Sequence, residues 1–111
     1  MTETYDLFQR GRSHLRSGRP AQATVSLEKA KKAEPRSRSI REALGIAYFR
    51  LGRWAEAEAE FRVLLELDPS DEFAHYALGR ALVKQGRQKE AIPHIKLGRA
   101  LRPRTADDAI E

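Results

Sequence analysis

LGRWAEAEAEFRVLLELDPSD, residues 51–71, is written three times in altered form. Thirty-four residues earlier stands SGRPAQATVSLEKAKKAEPRS, and thirty-four later QGRQKEAIPHIKLGRALRPRT. Laying the chain on itself at that offset leaves five positions identical in all three copies. They are Gly11, Gly45 and Gly79; Gly18, Gly52 and Gly86; Arg19, Arg53 and Arg87; Ala23, Ala57 and Ala91; and Pro35, Pro69 and Pro103. A sixth stays large and apolar: Leu27, Phe61 and Ile95. A period held through this many positions marks a repeat architecture.

Each conserved type has a physical task at its place in the period. The prolines end a helix and bias the preceding residue toward extended backbone. Gly18, Gly52 and Gly86 separate two helix-period segments, where a tight turn needs positive φ. In the middle copy, Ile40, Leu44, Ala47, Tyr48 and Leu51 recur on one helix face, as do Ala57, Phe61, Leu64 and Leu65 after the turn. The small Ala57 and its counterparts allow close helix approach. Gly45 and its counterparts stand inside a helix at a cost of about 1 kcal/mol against alanine, which is expected where another helix backbone presses. Each unit thus reads as a helix, a short turn and an antiparallel helix.

On these residues the chain resembles the tetratricopeptide repeat family. Unit two, LGIAYFRLGRWAEAEAEFRVLLELDP, is similar to the family pattern at Leu44, Gly45, Tyr48, Ala57, Phe61 and Pro69. Unit three matches at Leu78, Gly79, Ala91 and Pro103, with Leu82 for the tyrosine and Ile95 for the phenylalanine. Unit one keeps Gly11, Ala23 and Pro35, with Arg10 for the leucine and His14 for the tyrosine. The family's tryptophan position holds Leu7, Arg41 and His75. The resemblance implies an all-α fold of three tandem helix-turn-helix repeats, stacked as a short right-handed α-solenoid. Repeats are expected at about residues 4–37, 38–71 and 72–105 of one domain spanning 1–111, with 106–111 a short tail or truncated cap.

Composition narrows the classes. The chain has 111 residues and no cysteine, so neither a disulfide framework nor a thiolate metal site is available. A reducing, cytoplasmic setting is expected. The amino terminus, MTETYDLFQRGR, has no apolar core of a signal peptide, and no 18-residue apolar run occurs, so no membrane association is expected. There are 21 basic and 16 acidic residues, a net charge of +5. The excess belongs to the ends: residues 1–37 carry eight basic and four acidic groups, 38–71 five and seven, 72–111 eight and five. Such a balance permits acidic partners without requiring nucleic acid.

No catalytic, cofactor or metal constellation emerges. His14, His75 and His94 fall on three different expected helices without ligand spacing, and His14, at the tyrosine position, reads as a near-core imidazole. GRSHLRSG lacks the Gly-Lys-Ser/Thr of a phosphate loop. Glu56, Glu58 and Glu60 alternate at spacing two, which spreads carboxylates around a helix and reads as a solvated outer face. An enzyme is not expected, nor a cofactor.

A surface must then carry function. In arrays of the family, the first helix of each unit lines a concave face. Projected here, that wall holds Tyr5, Phe8, Arg12, Leu15 and Arg16; then Glu42, Ile46, Phe49 and Arg50; then Phe73, Tyr76, Arg80, Val83 and Lys84. Arginine and aromatic side chains are favoured at binding hot spots. Arg16, Arg50 and Lys84 share one repeat position. With helices stacked roughly 8–10 Å apart, they form a ladder that costs about 0.4 kcal/mol per neighbouring pair in water. The same residues fall in last helical turns, where a cation gains about 0.3–1 kcal/mol from the macrodipole. The expected role is a scaffold or interaction module, binding a peptide or protein with acidic and apolar side chains. The carboxylate clamp of the family's co-chaperones is not carried: the matching positions hold Phe8, Arg12, Ala43, Phe73 and Ala77, of which only Arg12 suits a carboxylate.

The last helix contains Pro93 and Gly98 and is expected to be the loosest unless something packs on it. A stacked array ends on a polar-faced cap, and TADD, residues 105–108, starts one too short to stand alone. Ile95 and Leu101 are therefore candidates for exposure and self-association as a homodimer. Nonspecific nucleic-acid binding through the basic groove is a third reading, which no base-reading motif supports.

Overall fold

The computed structural model describes residues 2–100. Six helices follow in order: α1 (Glu3–Arg16), α2 (Pro20–Ala33), α3 (Arg38–Arg50), α4 (Trp54–Leu67), α5 (Glu72–Lys84) and α6 (Gln88–Ala100). Among the described residues there is no strand. The helices form antiparallel pairs, and each later pair packs on the one before it through α2 on α3 and α4 on α5.

The local signals act where the repeat places them. Thr2, Ser37 and Asp71 cap α1, α3 and α5, their side-chain oxygens accepting from the backbone N–H of Tyr5, Ile40 and Ala74. The turns inside the units are one motif used three times. Gly18, Gly52 and Gly86 take φ of 72°, 75° and 77°. The following arginine's N–H reaches five residues back, Arg19 to His14 O at 2.8 Å and Arg53 to Tyr48 O at 2.9 Å, closing the helix as a Schellman turn. Before Pro35 and Pro69, Glu34 and Asp68 leave the helical region, with ψ of 77° and 96°.

The core runs the length of the stack. Ala23, Leu27, Leu44, Ala57, Phe61, Leu64, Leu78, Leu82 and Ala91 are fully buried. The helix glycines are where they are because a side chain of the second helix occupies their space: a Cβ on Gly11 would strike Leu27, on Gly45 Phe61, and on Gly79 Ile95. The sequence suggested a pressing backbone at these sites. In units one and two it is instead the large apolar position of the same repeat that fills the notch, and in unit three the α6 backbone also closes to 3.2 Å.

One expectation meets its stated condition and one is corrected here: α6 is packed upon at Gly98, and Ile95 is not exposed. A Cβ there would lie 2.7 Å from Tyr76 N and 2.8 Å from its Cα, so the glycine lets α6 ride directly on the α5 backbone. Ile95 is half-buried against the core, over Gly79, whereas Ile92 and Leu97 are the large apolar residues of α6 that stand exposed, at 51% and 54%. Leu101, with Pro103 and the TADD stretch, lies outside the described residues.

Candidate functional site: the groove between α1 and α3

The first helices of units one and two lie side by side and leave a groove of roughly 730 Å³. Its apolar floor is Phe8, Leu15, Ala43 and Ile46, and its rim is Arg12, Arg16, Arg38 and Arg50 around Glu42. Four guanidinium groups and one carboxylate therefore line it. Arg12 lies 5.5 Å over the Phe8 ring, which holds its head at the rim while the stem covers apolar surface.

Glu42 keeps solvent access but sits down in the concavity. Burial raises its pKa above the ordinary carboxylate value, with the Asp71 charge adding to the rise and Arg38 and Arg12 opposing it. Arg50 reaches across the unit boundary, its Nη1 donating to Leu15 O at 2.9 Å in the last turn of α1. That carbonyl also accepts from Gly18 N–H at 3.1 Å, so the arginine joins the turn's own bond and ties unit two to the C-terminus of the helix before it. Lys84, one repeat later, lies 5.5 Å over the Trp54 ring instead. Arg16, Arg50 and Lys84 share a repeat position but not a partner.

The expected concave wall is divided by the structure. Phe8, Arg12, Leu15, Arg16, Glu42, Ile46 and Arg50 come together in the groove. Tyr5 is exposed on α1 beyond this lining. Phe49, Phe73 and Tyr76 are buried and belong to the core. Phe73 meets Phe61 edge-on at 5.9 Å, and Phe49 meets Trp54 at 4.8 Å. These three offer a partner almost no surface, a correction to the aromatic wall inferred from the period. Arg80 spans two of them, 5.9 Å from both the Phe49 and Tyr76 rings, and donates to the Tyr76 hydroxyl at 3.2 Å. Arg38 was missed by the sequence reading. It is the first residue of α3, where the projection looked only for later helix positions, and it also pairs with Asp71 at 3.0 Å.

The acidic run on α4 is corrected as well. Only Glu56 behaves as a solvated residue, in a pair with Arg53. Glu60 is buried, 4% exposed, between Lys31 of the preceding unit at 3.0 Å and Arg41 of its own at 2.9 Å. Glu58 accepts from Arg87 and Gln85 of the following unit at 2.8 and 2.9 Å. These carboxylates bond neighbouring units together.

Among the described residues no group of three or more His, Cys, Asp or Glu is arranged to hold a metal ion. No helix among them is long and apolar enough to cross a membrane.

Antiparallel helix pairs stacked at a fixed period, with a groove walled by their first helices, define a class of repeat protein. The chain belongs to the tetratricopeptide repeat family: one model of that repeat matches residues 8–72 and a second residues 73–96. Among solved structures it is similar to a point mutant of MamA, with 27% identity over all of this chain and 75% of that one and a TM-score of 0.83. MamA AMB-1 shares 32% identity over 82% of this chain and 50% of that one, at a TM-score of 0.77. The second TPR of Spaghetti (RPAP3), solved with the HSP90 peptide SRMEEVD, has the same fold at 20% identity and a TM-score of 0.81. The chain spans between half and three-quarters of the length of these MamA chains. No curated protein matches it.

Proposed function

We propose that this chain is a non-catalytic interaction module whose α1–α3 groove takes a polypeptide segment bearing acidic and apolar side chains. The observation that carries this reading is the composition of the groove: apolar residues, of which Phe8 and Leu15 stay partly exposed, beside four arginines and one glutamate. Such a rim repels basic segments and attracts acidic ones, and arginine forks suit carboxylates. The absence of cysteine agrees with a cytoplasmic setting.

Arg12 and Arg16 are the residues to change, because Arg50 also holds Leu15 O. Fluorescence anisotropy with labelled peptides alternating Glu with Leu or Phe, beside Lys-containing counterparts, measures the preference. Acidic peptides bind the wild type. The pair Arg12→Glu and Arg16→Glu weakens them by about five- to thirtyfold, since each exposed ion pair contributes about 0.2–1 kcal/mol and reversal adds repulsion. Equal binding of basic peptides, or affinity unmoved by the reversal, defeats the assignment.

A second reading, self-association, draws on Ile92. It occupies the repeat position of Glu58, which in unit two faces the following unit, yet in unit three it is exposed. Light scattering on the full chain tests this: a dimer lost on Ile92→Glu supports it, and a monomer at high concentration removes it.

A further inference from the structure

Two cations of the α1–α3 groove are left over by the fold. Arg12 and Arg16 enter no ion pair among the described residues, whereas Arg38 is held by Asp71 and Asp68. Beside them Phe8 and Leu15 stay only half-buried. Apolar surface next to unpaired guanidinium groups is complementary to a segment that carries carboxylates around one apolar side chain. The sequence beyond the described residues contains such a segment. Residues 106–111 read ADDAIE, with Asp107, Asp108 and Glu111 around Ile110 and no basic residue among them.

We propose that residues 106–111 occupy the groove of their own chain, their carboxylates meeting the rim at Arg12 and Arg16 and Ile110 covering Phe8 and Leu15. The inference rests on the reading of the groove given above and adds a built-in occupant to it. The route is marked by contacts. Gly98, near the end of α6, lies on the backbone of Tyr76, close to the start of α5. Asp71, the N-cap of α5, bonds Arg38 at 3.0 Å, and Arg38 is the first residue of α3 and lines the groove. The end of α6 and the starts of α5 and α3 therefore share one end of the stack.

The length of chain suffices. From α6 past α5 to α3 is two helix spacings, about 16–20 Å. Residues 101–107 span up to about 23–25 Å when extended. Asp107 thus reaches the Arg38 end, and residues 108–111 run down the groove toward Arg12 and Arg16. A segment tethered this closely acts at an effective concentration of about a millimolar. Weak contacts are then enough to seat it, and an outside acidic ligand has to displace it. The groove is guarded by a ligand of the chemistry it selects.

The test compares the full-length wild type with a variant carrying Asp107→Asn, Asp108→Asn and Ile110→Ser, after circular dichroism has shown equal helix content. Without ligand, amide shifts of the two chains differ around Arg12, Arg16 and Ile46, and the difference is unchanged on dilution. In fluorescence anisotropy, a labelled peptide alternating Glu with Leu binds the variant about three- to tenfold more tightly than the wild type. With Arg12→Glu and Arg16→Glu also in place, the three substitutions bring no gain. A difference that fades on dilution puts the segment in the groove of a second copy and overturns the intramolecular route. Equal peptide affinity with unmoved groove amides removes the segment and leaves the groove reading standing. Failure of either chain to bind the peptide removes both.

Discussion

Glu58 and Glu60 stand two residues apart on α4 and face different neighbours, Glu60 the unit before and Glu58 the unit after. A carboxylate as buried as Glu60 is tolerated because two cations meet its two oxygens. At Glu58, burial pushes the pKa up, but hydrogen bonds from Gln85 and Arg62 and the charges of Arg62 and Arg87 outweigh it and hold the group below the ordinary value of 4.5. A carboxylate depressed in the folded state binds its proton more readily when unfolded. Its contribution is therefore present above about pH 4.5 and is lost as pH falls toward the folded-state value. Thermal melts from neutral pH down to about pH 3 should show a steeper fall for the wild type than for Glu58→Gln. Parallel curves would remove Glu58 from the acid response. This role was not legible beforehand. Alternation at spacing two distributes the three glutamates around a helix, and a single sequence does not reveal which sector the next unit covers.

At the scale of elements, most of the fold could be read in advance. Gly18, Gly52 and Gly86 mark turns that require positive φ, and Pro35 and Pro69 mark helix ends, so all six helices follow from punctuation and period. Gly98 shows where such reading stops. By propensity it weakens α6 by about 1 kcal/mol relative to alanine, yet its position on the Tyr76 backbone makes a side chain impossible without lifting the helix. Gly98→Ala should therefore destabilise by about 1–3 kcal/mol despite the better propensity. Gly11→Ala, which meets side-chain atoms of Leu27 and no backbone, should cost less. Urea midpoints of the two variants decide the order, and the reverse order would mean that α6 is held by something other than this contact. The His75–His94 contact was hidden for a related reason: the two residues stand on different helices, and only the packing of α6 on α5 brings them to 3.0 Å.

The whole molecule measures 41 × 25 × 22 Å, an elongated stack in which charge is divided by direction. Glu58 and Glu60 of α4 point along the stack and are taken up by neighbouring units, whereas Arg12 and Arg16 of α1 and Arg38 and Arg50 of α3 line the groove. Most of the candidate site was legible, because Phe8, Arg12, Leu15, Arg16, Glu42, Ile46 and Arg50 were projected from the repeat onto the concave wall. The aromatic residues of α5 were not, since the same position is surface in one unit and core in the next, as Tyr5, Ser39 and Phe73 illustrate. Glu42, the one carboxylate on the rim, should act against acidic ligands. Glu42→Gln is expected to tighten an acidic peptide by about two- to fivefold, the scale of one exposed charge pair, and to leave a neutral peptide unaffected. The most direct test of the groove itself is amide chemical-shift mapping of the labelled chain during titration with an acidic, apolar peptide. The account predicts that the shifts concentrate on α1 and α3, around Arg12, Arg16, Glu42 and Ile46, and shrink as salt is raised. Shifts gathered on the outer faces of α2 and α4, or on α6, would contradict it.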